Sequence, residues 1–137
     1  MVAGGLPEPR TDDATAVAGM ALAMVDAIRT VGRESSVQLQ VRIGLHTGAL
    51  IAGVLGTQKF VYDVWGDTVN IAKRMESQGQ PGRIHVSAAT RQALGDRFRF
   101  EPRGRLDIKG RGLIETYFLM GNSCQSAQPN VVGRKIP

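Results

Sequence analysis

The sequence predicts an α+β domain with helices on one face of a mostly antiparallel sheet. Three observations lead there. Helix-like and strand-like hydrophobic periodicities alternate along the chain. A hairpin signal closes the patterned region, where Lys109-Gly110-Arg111-Gly112 separates two strand-like runs. With 137 residues, 42% of them apolar, the chain can bury one real core.

The elements follow in order. Met1–Arg10 reads as the end of a strand running into a loop, because Gly4-Gly5 and Leu6-Pro7 break regular structure. Thr11, Asp12 and Asp13 offer a helix cap and first-turn acids. Val17, Ala21, Met24, Ile28 and Val31 then recur at spacings of four and three, and Gly32 is expected to close that helix. Val37, Leu39, Val41, Ile43 and Leu45 alternate with Gln38, Gln40, Arg42 and Gly44, which predicts a half-buried strand. Ala49–Leu55 is a short apolar run and predicts a buried strand, with Gly53 marking a bulge or a close approach. Phe60–Val64 predicts another strand, and Asp67 is expected to cap a helix from Thr68 to about Gln78. Pro81-Gly82 is a turn, Ile84–Val86 a short strand, and Ser87 the cap of a helix through Leu94. Phe98–Phe100, Arg103–Ile108 and Leu113–Leu119 complete the sheet. Residues 1–120 form the expected domain, and the polar, patternless residues 121–137 are expected to be a disordered tail.

Composition narrows the function. No apolar run reaches membrane-spanning length, and the first residues lack the form of a secretory signal. A single cysteine, Cys124, excludes an internal disulfide and suits a reducing cytoplasm. The net charge of +5 is concentrated in Arg83–Phe118, where eight basic residues face four acidic ones. Such an excess suits nucleic acid, an anionic surface or a phosphorylated small molecule. Aromatics are not interleaved with these arginines, so a nucleic-acid partner is not expected.

The candidate chemistry sits around one helix. At about 100° per residue, Val69, Ile71, Ala72 and Met75 fall on one side, and Asn70, Lys73, Arg74 and Ser77 on the other. Asn70 and Arg74, four residues apart, are neighbours. An amide and a guanidinium on one rigid face can grip a phosphate or a sugar oxygen. The same spacing also suits an ordinary solvated face. Asp63, at a strand end before that helix, can accept a hydrogen bond from a base amino group or cap the turn. Lys109 can reach a triphosphate from its glycine-flanked turn, or simply form a hairpin tip. His46 and His85 lack metal-ligand spacing and read as structural. No phosphate-cradling loop and no nucleophile–histidine arrangement is present.

Tyr62–Ser77 (YDVWGDTVNIAKRMES) closely resembles the signature of class III adenylyl and guanylyl cyclases. So do Val41–Gly56 (VRIGLHTGALIAGVLG), Met1–Pro9 (MVAGGLPEP) and Arg103–Leu119 with its KGRG turn. The resemblance implies a sheet derived from the ferredoxin-like βαββαβ arrangement and an active site formed between two domains. It implies conversion of a nucleoside triphosphate to a 3′,5′-cyclic nucleotide and pyrophosphate, with two Mg or Mn ions held by two aspartates; the carboxylate of Asp63 favours ATP, and so cyclic AMP as product. By motif, Asp63 matches the aspartate that reads the adenine amino group. Asn70 matches the asparagine that positions the ribose, Arg74 the arginine that stabilises charge at the α-phosphate, and Lys109 a lysine on the terminal phosphates. In the family, both metal-binding aspartates, a base-reading lysine and the first strand and helix precede the segment matching Met1–Gly5. The resemblance thus implies a sheet incomplete at the N-terminus, no metal ligand in this chain, and no turnover by the chain alone. Asp12, Asp13 and Asp26 are not substitutes, since they lie on a helix that the family keeps away from the metals. The expected partners are ATP and a second cyclase domain, as a homodimer or a pairing with a complete domain, in the cytoplasm. The alternative is a catalytically dead homologue acting as a nucleotide-binding or dimerisation module.

Overall fold

The computed structural model describes residues 1–59 and 61–123. Three helices, α1 (Asp13–Ser35), α2 (Asp67–Ser77) and α3 (Ala88–Leu94), accompany six strands. The strands are β1 (Ile43–Leu45), β2 (Ile51–Leu55), β3 (Val61–Trp65), β4 (Ile84–Ser87), β5 (Phe98–Ile108) and β6 (Gly112–Asn122). The main sheet has the order β1-β4-β6-β5; β1 runs parallel to β4, and the other two ladders are antiparallel. β2 and β3 form a separate antiparallel hairpin. The α+β expectation holds.

Strand β4 explains how the layers meet. All four of its residues are buried, and they alternate in direction. Ile84 and Val86 join Ala18, Ala21 and Val25 of α1, Leu94 of α3, and Phe98 and Leu119 in one core. His85 points the other way, and its Nδ1 lies 2.8 Å from the Met75 carbonyl oxygen of α2. Helices therefore lie on both sides of β4, where one face was expected. The cause is that α2 seals its own smaller core, with Ile71 and Met75 against Ile108 and partly buried Leu106 and Ile114. Each such fully buried side chain contributes roughly 1.5–3 kcal/mol relative to exposure.

Several boundaries differ from the sequence reading. Gly32 does not end α1: the helix runs on to Ser35 and stops where Ser36 turns left-handed. A Cβ at position 32 would stand 3.1 Å from the Val37 carbonyl, so this glycine admits the returning chain. The buried stripe of α1 is Ala18, Ala21 and Val25, while Met24 and Val31 are exposed. Of the strand expected over Val37–Leu45, only Ile43–Leu45 is paired, and Val37 and Leu39 are exposed. Residues 1–10 contain no strand. A strand exists through its ladder, and neither segment has a ladder partner among the described residues. β2 is not a buried strand: Ile51 and Val54 are 68% and 60% exposed, because β3 is its sole ladder partner among the described residues. Strand β6 extends to Asn122, past the expected domain limit at residue 120, and residues 124–137 lie outside the described residues. Against the expectation of no membrane-length apolar segment, α1 is long and apolar enough, by length and composition alone, to cross a membrane. Here it packs as a helix of the folded domain, through Ala18, Ala21 and Val25 on the sheet.

Candidate active site

The site is built on α2. Burial of Ile71 and Met75 fixes the helix's rotation, and Asn70, Lys73, Arg74 and Ser77 consequently face outward. The helix starts at Gly66, whose φ of 123° suits a residue without a Cβ, and no side chain caps it. Asp67 is therefore not the cap. Instead its Oδ2 accepts from Arg111 Nε at 2.8 Å, with Arg111 Nη2 also 2.8 Å away. The turn that carries Lys109 is thereby tied to the first turn of α2, and Ile108 packs against Ile71 and Met75 just behind it. Sequence reading missed the Arg111–Asp67 pair. The Lys-Gly-Arg-Gly turn was visible, but its docking partner 44 residues away was not.

Asp63 lies within β3, opposite Gly53, and not at the strand's end. Its Oδ1 accepts from the Val64 N–H at 2.8 Å. It is exposed and caps no helix turn, which leaves its second carboxylate oxygen available to a ligand. Asn70, Arg74 and Lys109 are likewise exposed. Their side chains make no hydrogen bond or ion pair with the described residues, whereas Arg42, Arg83 and Arg111 are matched to Glu76, Glu101 and Asp67. The structure thus places Asn70 and Arg74 together on one helix face. Asp63 sits on the strand leading into that helix, and Lys109 on the turn docked against it.

A cleft of about 160 Å³ lies behind this face, between residues 1–4, α1, the end of β1 and the inner side of α2. None of the four candidate residues lines it. Their face is open, in keeping with a site that needs a second surface to close it. Among the described residues, no three His, Cys, Asp or Glu side chains gather to hold a metal ion. Asp67 is held by the Arg111 guanidinium, so the described residues gather no donor set that fits an Mg or Mn ion.

Both histidines are structural in their contacts. His46 Nδ1 lies 2.7 Å from Ser87 Oγ, and the Ser87 oxygen caps α3 by accepting from the Thr90 N–H, as the sequence predicts. Burial holds the pKa of both His46 and His85 below the ordinary value of 6.5, with Arg111 and Arg103, respectively, adding to the effect. The sign follows from linkage. A lowered folded pKa means that the unfolded chain binds more protons as pH falls through about 6.5. This part of the stability is complete above that pH and is lost below it. Calorimetry between about pH 7.5 and 5.5 should show Tm falling on the acid side. The fall should shrink when either histidine is replaced by asparagine.

Comparison with known proteins gives the family. Residues 1–121 match the family model described as the adenylate and guanylate cyclase catalytic domain. The chain belongs to that family. It is 39% identical over 132 residues to an adenylate cyclase of Mycobacterium tuberculosis, covering 96% of this chain and 30% of that protein. It is 43% identical over 120 residues to a membrane guanylyl cyclase of Dictyostelium discoideum, covering 88% of this chain and 8% of that one. The chain therefore spans less than a third of either relative. Among solved structures, it resembles the guanylate cyclase domain from Catenaria anguillulae in complex with GTP, with a TM-score of 0.80 and 35% identity. That match covers 87% of this chain and 65% of the other.

Proposed function

We propose that this chain carries the base-reading, ribose-positioning and charge-stabilising part of a nucleotidyl cyclase site, with ATP as substrate. The observation that supports it most is the outward pair Asn70 and Arg74, unpartnered among the described residues, on a helix whose rotation is fixed by Ile71 and Met75. In the reaction, the ribose 3′-oxygen forms a bond to the α-phosphorus. The bond from that phosphorus to the bridging oxygen breaks, pyrophosphate leaves, and the 3′-hydroxyl proton passes to solvent. Asn70 orients the ribose, and Arg74 meets the negative charge that builds up on the α-phosphoryl oxygens. Lys109 neutralises the terminal phosphates. Such transfer depends on positioning and electrostatics more than on covalent help from the protein. A metal-assisted step needs carboxylates from outside the described residues. A second domain facing α2 would supply them and close the open face. We place the reaction in the cytoplasm, where ATP is abundant.

Asp63 supports ATP over GTP. Adenine presents an amino donor at its six-position where guanine presents a carbonyl acceptor, and a carboxylate accepts from the former and repels the latter. The relatives include both adenylate and guanylate cyclases, and Asp63 is the feature of this chain that favours ATP.

The absence of a metal-binding group among the described residues also favours a second reading, a nucleotide-binding or dimerisation module without turnover. One experiment separates them. The 137-residue chain is assayed for cyclic AMP with Mn and ATP, alone and mixed with a cyclase domain that retains its metal-binding aspartates but lacks the Asn–Arg pair. We expect no turnover alone and clear turnover in the mixture. A silent mixture that still binds ATP would establish the module. In the active mixture, Asp63→Ala should reduce the preference for ATP over GTP by roughly 10–100-fold, the value of a lost base hydrogen bond in a built site. An unchanged ratio would remove Asp63 from base recognition.

A further inference from the structure

The sequence marks His85 only as an isolated histidine, yet it is fully buried and both ring nitrogens are engaged. Nδ1 lies 2.8 Å from the carbonyl oxygen of Met75, and a carbonyl can only accept, so Nδ1 carries the proton. Nε2 lies 3.2 Å from Nη1 of Arg103, and a guanidinium can only donate, so Nε2 is bare. One tautomer satisfies both partners, and it is uncharged.

These partners belong to the two elements that carry the candidate site. Met75 follows Arg74 on α2. Arg103 sits where β5 shifts register between Pro102 and Gly104, a kink that Thr116 Oγ1 closes by donating to the Gly104 carbonyl at 2.9 Å. The same hairpin ends in the turn of Lys109. Phe118, opposite His85 in the β4–β6 ladder, packs against the imidazole at a tilt of 44°, with centroids 5.6 Å apart. The other tie between α2 and the hairpin, Arg111–Asp67, is more than half exposed and contributes little in salt. The imidazole itself is fully buried, where an unmatched polar group is costly.

We propose that His85 is a positioning residue: by bridging the Met75 carbonyl and the Arg103 guanidinium, it holds the Asn70–Arg74 face of α2 in register with the turn of Lys109. Its consequence for turnover rests on the function proposed above; the bridge itself does not. The charged groups around it leave no compensation for a second ring proton. On α2, Glu76 is taken by Arg42 at 3.2 Å. Beyond Phe118, Arg83 stacks 3.8 Å from the ring centroid and is taken by Glu101 at 2.8 Å. From β5, Arg103 faces the ring directly, so protonation sets donor against donor and charge against charge.

Hydrogen–deuterium exchange of the full 137-residue chain, read peptide by peptide with α1 as internal reference, tests this. His85→Asn keeps a donor for the Met75 carbonyl and cannot titrate; His85→Leu fills volume without polar atoms. At about pH 7.5, His85→Leu should speed exchange of α2 and of residues 106–112 about tenfold relative to α1, and His85→Asn should stay close to the native chain. At about pH 5.5 the native chain should lose the same protection, and His85→Asn should keep it. A uniform rise over α1, α2 and α3 in His85→Leu would reduce His85 to core filling and overturn the proposal. So would a change in α2 that leaves residues 106–112 untouched, or His85→Asn responding to acid like the native chain. A fluorescent ATP analogue is titrated in parallel. If it binds the native chain, its affinity should fall with the protection of α2. If it does not bind even in the mixture with the second cyclase domain, the nucleotide-site reading fails, and the exchange data still decide on His85.

Discussion

Replacing Arg74 with alanine is expected to lower kcat by about 10²–10³ while KM for ATP changes little, in the active mixture described above. The expectation rests on where the guanidinium is free to act. Arg74 is exposed on α2 and has no acidic partner among the described residues, unlike Arg42, Arg83 and Arg111 nearby. Among the described residues its side chain therefore holds nothing else in place. If it meets charge that develops only during transfer, its loss removes transition-state stabilisation without weakening ground-state binding. Fold stability should hardly move, since the side chain buries no apolar surface at a packed interface; Tm within about 2 °C of the native value is the control. Steady-state kinetics with ATP decide the matter. A near-normal kcat would return Arg74 to the solvated helix face that its spacing also allows. A raised KM with unchanged kcat would make it a binding group only.

How much of this was legible depends on whether the signal was local. The rotation of α2 was, because Val69, Ile71, Ala72 and Met75 gather on one side of a helix whose other side is polar, and Asn70 and Arg74 follow from it. The Ser87 cap was local too. On α1 the apolar residues cover so much of the circumference that periodicity could not fix the angle. Val17, Met24 and Val31 fit a stripe as well as the Ala18, Ala21 and Val25 that are buried. For β2 the apolar run spoke of hydrophobicity but not of a partner, and the hairpin leaves Ile51 and Val54 exposed. The links that join site elements lie far apart in sequence: Asp67 to Arg111, and Met75 to Arg103 through His85. No periodicity carries such information.

Gly44→Ala is the substitution expected to cost the most stability, about 3 kcal/mol or more. In the sequence Gly44 merely takes a polar turn in the alternation of Val41, Ile43 and Leu45. In the structure it is where α2 crosses β1. A Cβ there would stand 2.5 Å from the Met75 carbonyl carbon and 2.7 Å from the Ala72 carbonyl oxygen, and nearer still to the Glu76 nitrogen. All three are helix backbone atoms, so no side-chain rotation relieves the clash. Either α2 moves outward, opening the Ile71–Met75–Ile108 core, or β1 leaves its parallel register with β4. Both routes also stretch the bond from His85 to the Met75 carbonyl, which faces α2 from the neighbouring strand at the position paired with Gly44. Thermal unfolding should show Tm reduced by roughly 10 °C or more. Activity in the mixture should fall even at temperatures where the variant stays folded, because Asn70 and Arg74 ride on the displaced helix. Gly19→Ala is the matched control: a Cβ there meets nothing within 4 Å, and the site lies on α1, where alanine favours the helix. If Gly44→Ala melts with the native chain while Gly19→Ala behaves as expected, the close seating of α2 on β1 is wrong, and the geometry assigned to Asn70 and Arg74 falls with it.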